Sequence, residues 1–218
     1  MKAVAVMIVG TDTGVGKTYV AVRLVRALVR RGVDVGVMKP FESGVSSFAL
    51  RVGRLGADAS RLLRASGNPA ANLDLVSPYR FREALSPAIA AERVGVAIDF
   101  RRVARAFDAL RRRFSRVVIE GAGGLYSPLG PRGLNAVVMA KRLRVPVILV
   151  AANRLGTLSH VLLARETLAR HGIPLRAVVL TQPSPSPRIV RETNAAALPF
   201  AIRADSRIGH NLVQALGW

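Results

Sequence analysis

The chain predicts an α/β fold with a doubly wound, mostly parallel sheet. Three observations carry that expectation. Strand-like apolar runs alternate with helical stretches almost to the C-terminus. The stretches between runs are long enough for right-handed crossovers joining parallel strands. The first run also ends in GTDTGVGKT (10–18), a glycine-rich loop that opens a helix.

AVAVMIV (3–9) is a short apolar run bounded by Gly10, which predicts a buried first strand. From Lys17 to Arg31, apolar Val20, Val22, Leu24, Val25 and Leu28 alternate with basic residues, and Gly32 can end that helix. VDVGVMK (33–39) reads as a second strand stopped by Pro40, and 41–55 as a polar, small-residue loop near a substrate. A short helix is expected from Asp58 to Ser66. Pro69, Pro78 and Pro87 predict loops and short pieces over 67–87. DFRRVARAFDALRRRF (99–114) is amphipathic, with Val103, Phe107 and Leu110 on one face. RVVIEGAGG (116–124) is a strand running into glycines, and VPVILVAA (145–152) is the plainest central strand. A helix over 157–170, a strand LRAVVLT (175–181) and a helix near 187–197 follow; the tail after Pro199 carries no clear pattern. No repeat or linker composition divides the sequence, so residues 1–218 are expected to form a single domain.

The composition narrows the classes further. Half the residues are hydrophobic, which excludes general disorder. No apolar run reaches the ~18–20 residues of a membrane span, and the N-terminal run reads as a strand rather than a leader. With no cysteine, disulfides, thiolate metal sites and cysteine nucleophiles are excluded, and a cytoplasmic location is expected. A formal charge of +20 invites a nucleic-acid reading. However, the arginines fall at helical intervals (Arg23, Arg26, Arg30, Arg31; Arg101, Arg102, Arg105) without interleaved aromatics, so neither a nucleic-acid nor a membrane partner is expected. Among 33 basic residues the only lysines are Lys2, Lys17, Lys39 and Lys141, two of them in GVGKT and VMKPF. An ammonium meets a phosphate as a compact point charge where a guanidinium fork does not fit.

A strand, a glycine loop, Lys-Thr and a helix together cradle polyphosphate, which places the chain in the P-loop NTPase class with ATP as expected cofactor. Backbone N–H groups over Gly14, Val15, Gly16, Lys17 and Thr18 face the phosphates, Lys17 reaches the terminal ones, and Thr18 offers Mg²⁺ a hydroxyl. Five residues separate Gly10 from Gly16, one more than in the usual loop. Lys39 and Glu120 stand at strand ends, where doubly wound sheets bind ligands, and Asp58 opens a helix.

Taken together, GTDTGVGKT, MKPFESG (38–44), GADASRL (56–62), SPYRF (77–81), LSPAIAAE (85–92), VVIEGAGGLYSPL (117–129) and VPVILVAANRLGTLSH (145–160) resemble the dethiobiotin synthetases of biotin biosynthesis, in that family's order. The longer loop is the family's own variant. The resemblance implies a homodimeric ligase that closes a ureido ring from 7,8-diaminononanoate, CO2 and ATP. It makes Lys39 the catalytic lysine, with Lys17 and Thr13 beside the reacting groups. Thr18, Asp58 and Glu120 become the Mg²⁺ set, and Gly121, Ala122 and Gly123 approach the ligands through backbone. Ser43 sits beside the substrate, while Gly156 and Thr157 open a helix that receives the substrate carboxylate at the interface. Where the family usually reads adenine with an Asn-Asp-like pair, this chain has Thr181 and Gln182. Pro199 to Ala201 match the base-side loop loosely, and the histidines at 160, 171 and 210 read as structural or surface residues. Two other readings stand beside this one. An amidotransferase of the cobyrinic acid diamide synthase type needs a cysteine-bearing second domain. A partition or positioning ATPase binding DNA or membrane carries a signature lysine where this chain has Asp12.

Overall fold

In the computed structural model, which describes residues 4–68 and 72–218, the N-terminal apolar run forms β1 (Val4–Gly10). Lys2, Ala3 and the turn expected at Pro69 lie outside the described residues. β1 lies between β5 (Arg116–Gly124) and β6 (Val147–Ala152). The sheet continues through β2 (Val35–Met38) beyond β5, and through β7 (Leu175–Thr181) and β8 (Ala201–Arg203) beyond β6. Its order is β2-β5-β1-β6-β7-β8, and every pair in it is parallel.

Because successive strand side chains point to opposite faces, β1 feeds two cores. Met7 and Val9 join one, with α6 (Phe100–Arg113), α7 (Ala136–Leu143) and α8 (Thr157–Arg170). Val6 and Ile8 join the other, with α1 (Lys17–Val29), α3 (Ala57–Ser66) and α10 (Ile208–Leu216). A sheet covered on both sides explains why its strands read as continuous apolar runs rather than alternating ones. The chain leaves β1 toward β5 but leaves β5 and β6 in the opposite direction. Right-handed crossovers therefore put α1 on one face and α7 and α8 on the other. The diverging loops at the strand ends open a crevice over β1.

The long elements fall where the sequence predicts them. Asp99 caps α6, accepting from Arg101 N at 2.9 Å, and Val103, Phe107 and Leu110 are buried as expected. The short pieces differ. The expected loop at 41–55 contains β3 (Phe41–Glu42) and α2 (Ser47–Arg51). Within 67–87 lie α4 (Leu73–Val76) and β4 (Tyr79–Arg80), the latter paired in parallel with β3. Pro87 does not merely break structure: it occupies the first turn of α5 (Pro87–Arg93), where a missing N–H costs nothing. The helix near 187–197 is α9 (Arg188–Ala197), and the tail adds β8 and α10. Among the described residues no helix is long and apolar enough to cross a membrane.

Candidate active site

The loop after β1 turns through Gly14 (φ 73°) and Gly16 (φ 88°), both in the left-handed region where a Cβ would be strained. α1 begins immediately, so the first N–H groups of a 13-residue helix point out of the loop. Lys17 is buried and curls back over its own loop, its Nζ donating to the Asp12 carbonyl at 2.8 Å. Burial first, and then the neighbouring Lys39 ammonium, lower its pKa to about 8. The resting partner of Lys17 is thus a neutral carbonyl rather than a carboxylate. The Asp12 carboxylate itself accepts from Thr13 N at 2.7 Å and pairs with Arg154 at 3.3 Å, both in solvent.

A second cation sits across the crevice. Lys39 follows β2, and its Nζ meets Glu120 Oε1 at 2.5 Å, the Gly121 carbonyl at 3.1 Å and Asp58 Oδ2 at 3.4 Å. Burial alone pulls this ammonium down, but Glu120 and Asp58 outweigh it and hold the group above the ordinary lysine range. Thr18 donates to the same Glu120 oxygen at 2.8 Å. Lys39, just past β2, and Thr18, in α1, therefore converge on the Glu120 carboxylate of β5, which is 1% exposed, while Asp58 of α3 also pairs with Lys39.

These groups line a cleft of about 560 Å³ with Thr13, Gly14, Gly16, Ser43, Ala122 and Gly123. Lys17, Thr18, Lys39, Asp58 and Glu120 complete the predicted set found there. Four lining atoms, Glu42 Oε2, Ser43 Oγ, Ser86 Oγ and Glu120 Oε2, are buried without a hydrogen-bond partner. Such groups cost free energy unless something completes them, so the wall is built for a polar ligand. Ser86 makes the case most simply: it stands at the N-cap of α5, yet its hydroxyl caps nothing. Tyr19, Glu42, Arg61, Ser86 and Ser127 line the same space and were not anticipated. Glu42, Arg61, Ser86 and Ser127 lie inside the quoted motif stretches, but nothing in their spacing singles them out.

The other predicted residues lie elsewhere. Val15 is buried under the loop, and its carbonyl accepts from Thr181 Oγ1 at 2.6 Å. Gly121 faces Lys39 through its carbonyl. Thr181 is buried, with its hydroxyl spent on backbone, so it fastens the loop to β7 rather than presenting a free edge. Gln182 lines a separate cleft of about 410 Å³, where its Oε1 accepts from Arg191 at 2.9 Å. Of the loosely matched Pro199 to Ala201, Phe200 lies beneath Arg165 in a different surface cleft, and Arg203, Ala204 and Asp205 line the cleft that holds Gln182. Gly156 and Thr157 form the start of α8 outside the main cleft, the Thr157 hydroxyl donating to the Ala152 carbonyl. His160, His171 and His210 are exposed.

Among the described residues no three His, Cys, Asp or Glu side chains are grouped to hold a metal unaided. What the cleft offers is a hydroxyl (Thr18), a half-buried carboxylate (Asp58) and the unpartnered Oε2 of Glu120. That hard-oxygen set fits Mg²⁺ shared with substrate phosphates, since Mg²⁺ uses one or two carboxylates rather than a protein cage.

A glycine loop on a parallel sheet, with a buried lysine over it and carboxylates facing it, defines a P-loop NTPase. A family model described as an AAA domain matches residues 4–208. A putative plasmid partition protein from Borrelia burgdorferi, solved with AMPPNP, shares the fold at TM-score 0.55 and 13% identity, over 99% of this chain and 98% of that one. An ATP-dependent dethiobiotin synthetase from Anaeromyxobacter dehalogenans is 42% identical over 88% of this chain and 82% of its own length. Another, from Thermodesulfovibrio yellowstonii, is 33% identical over 88% and 81%. The chain belongs to the ATP-dependent dethiobiotin synthetase family.

Proposed function

We propose that this protein closes the ureido ring of dethiobiotin from 7,8-diaminononanoate, CO2 and ATP. The carrying observation is that Lys17, Lys39, Thr18, Asp58 and Glu120 meet in one cleft with four unsatisfied buried oxygens. One substrate amine adds to CO2 and sheds a proton, giving a carbamate. A carbamate oxygen attacks the γ-phosphorus, and ADP leaves. The second amine then attacks the carbonyl of the mixed anhydride, and phosphate departs as the ring closes. Such a sequence needs positioning and charge neutralisation more than covalent help from the protein.

Lys17 and the N–H groups of residues 14–18 hold the phosphates, with Lys17 leaving the Asp12 carbonyl to do so. Lys39, already charged and fixed by two carboxylates, bridges carbamate and γ-phosphoryl oxygens. Thr18, Asp58 and Glu120 hold Mg²⁺, which when bound neutralises phosphate charge. Thr13, Ser43 and the backbone of Gly121 to Gly123 bound the substrate side. Gly156 and Thr157, which do not reach their own cleft, receive the substrate carboxylate from the other protomer of a homodimer. Leu155, Leu162 and Leu163, all well exposed beside that helix start, suit burial by a second copy. The location is cytoplasmic, and the whole chain acts as one domain.

Phosphate release that requires both diaminononanoate and bicarbonate, with the ureido product detected by mass spectrometry, is the expected result. Hydrolysis stimulated by DNA or liposomes without ureido product would instead establish a partition or positioning ATPase.

A further inference from the structure

α3 begins without a cap of its own. Its N-cap residue is Gly56, which has no side chain to offer the exposed N–H groups of the first turn. Those N–H groups are nevertheless satisfied from a distant part of the chain. Glu42 Oε1 accepts from Asp58 N at 2.7 Å and from Ala59 N at 3.3 Å. Gly56 is what lets the carboxylate in: a Cβ there would fall 2.5 Å from Glu42 Oε1.

The residue supplying this cap is itself rigid. Glu42 belongs to β3, and its carbonyl accepts from Phe81 N at 2.8 Å. The preceding Phe41 stacks on Tyr79 with ring centroids 5.5 Å apart. Glu42 is 5% exposed, and its second oxygen is buried without a partner at the cleft wall. A carboxylate is costly to bury, so a cap that any serine at position 56 could supply is an incomplete reason for it. The reason lies in what the cap holds: Asp58, two residues into α3, contacts Lys39 at 3.4 Å.

We propose that Glu42 is a positioning residue: by capping α3 across the cleft it fixes Asp58, and through Asp58 the cation site and Lys39, while its second oxygen remains as an acceptor at the cleft wall. The inference rests on the metal assignment above. Partners one step removed from a metal typically control about 10–100-fold in affinity.

The test measures Mg²⁺ binding by calorimetry on the full chain saturated with a non-hydrolysable ATP analogue, with folding checked by thermal melting. Glu42→Ala should weaken Mg²⁺ binding by about tenfold or more and lower kcat, with little change in the affinity for the analogue measured without Mg²⁺. Glu42→Gln keeps one oxygen for the cap and should recover most of the affinity. Should the alanine protein not fold, Gly56→Ala, which crowds the carboxylate off the helix, carries the same expectation. An unchanged Mg²⁺ affinity in the alanine variant, or a glutamine variant as weak as alanine, would overturn the role of Glu42. A wild-type protein that binds the analogue with no Mg²⁺ dependence would instead remove the metal assignment.

Discussion

The two lysines of the cleft are both buried, yet their surroundings treat them in opposite ways. Lys17 rests on a backbone carbonyl, and burial with a nearby like charge brings it to about 8. Lys39 is deeper, but Glu120 and Asp58 keep it charged against that burial. Depth alone therefore does not decide a lysine's state; fixed carboxylates do. Lys39 is bound before any ligand arrives and is pre-organised for charge that develops during reaction. Lys17 is uncommitted, so it can turn from the Asp12 carbonyl to a phosphate at little cost.

The contrast breaks most sharply at Lys39. Lys39→Ala should reduce turnover by about 10²–10³-fold, the usual loss when one electrostatic stabiliser of a transition state is removed. Nucleotide affinity should be spared, because the loop and Lys17 remain. Stability should fall too, by about 3–5 kcal/mol, since Glu120 would stay buried without its counter-ion. Steady-state phosphate release, nucleotide calorimetry and melting of one preparation separate these effects. Near-normal rates would remove Lys39 from the chemistry. Lys17→Gln should do the reverse, costing nucleotide affinity about 3 kcal/mol, roughly 10²-fold. Its stability should change little, because no carboxylate depends on Lys17 for a hydrogen bond. Unchanged affinity would refute the phosphate role.

How legible each region was follows the same division. The loop lysine could be read from sequence because its partners are local: glycines, Lys17 and Thr18 lie within one short stretch before a helix. Lys39 could be placed at a strand end, since the apolar run of β2 stops there. Glu120, expected at the end of its strand, instead lies inside β5, which continues through the glycines to Gly124. That Lys39 and Glu120 touch each other, 81 positions apart, depends on β2 and β5 being neighbours, which strand order decides and periodicity does not reveal. Glu42 was hidden for a related reason. β3 is two residues long and pairs with β4 from another segment, so no local pattern marks it as rigid. Thr181 shows a different limit: that its hydroxyl is bonded to the Val15 and Ala151 carbonyls depends on where β7 lies against the loop, which no local pattern reveals. α7 and α10 escaped notice because both are short helices with apolar surfaces, hard to tell from buried strands by period.

The smallest expected effect sharpens the comparison without a mutation. As pH rises through about 8, Lys17 in the ligand-free protein gives up its proton, while Lys39 keeps its own. Phosphate favours the charged form of Lys17. Nucleotide affinity should therefore be level below about pH 7 and fall by up to about tenfold per unit above 8, with a proton taken up on binding. Calorimetry in two buffers of different ionisation enthalpy measures that uptake, and Lys17→Gln should abolish whatever binding remains dependent on it. The sign for stability is opposite. Folding lowers this pKa from 10.5, so between about 8 and 10.5 the unfolded chain binds the proton that the folded one releases. The contribution of Lys17 to the stability of the ligand-free fold should thus rise across that window. An affinity that stays level from pH 7 to pH 9.5, with no proton uptake, would mean that Lys17 is held charged as firmly as Lys39.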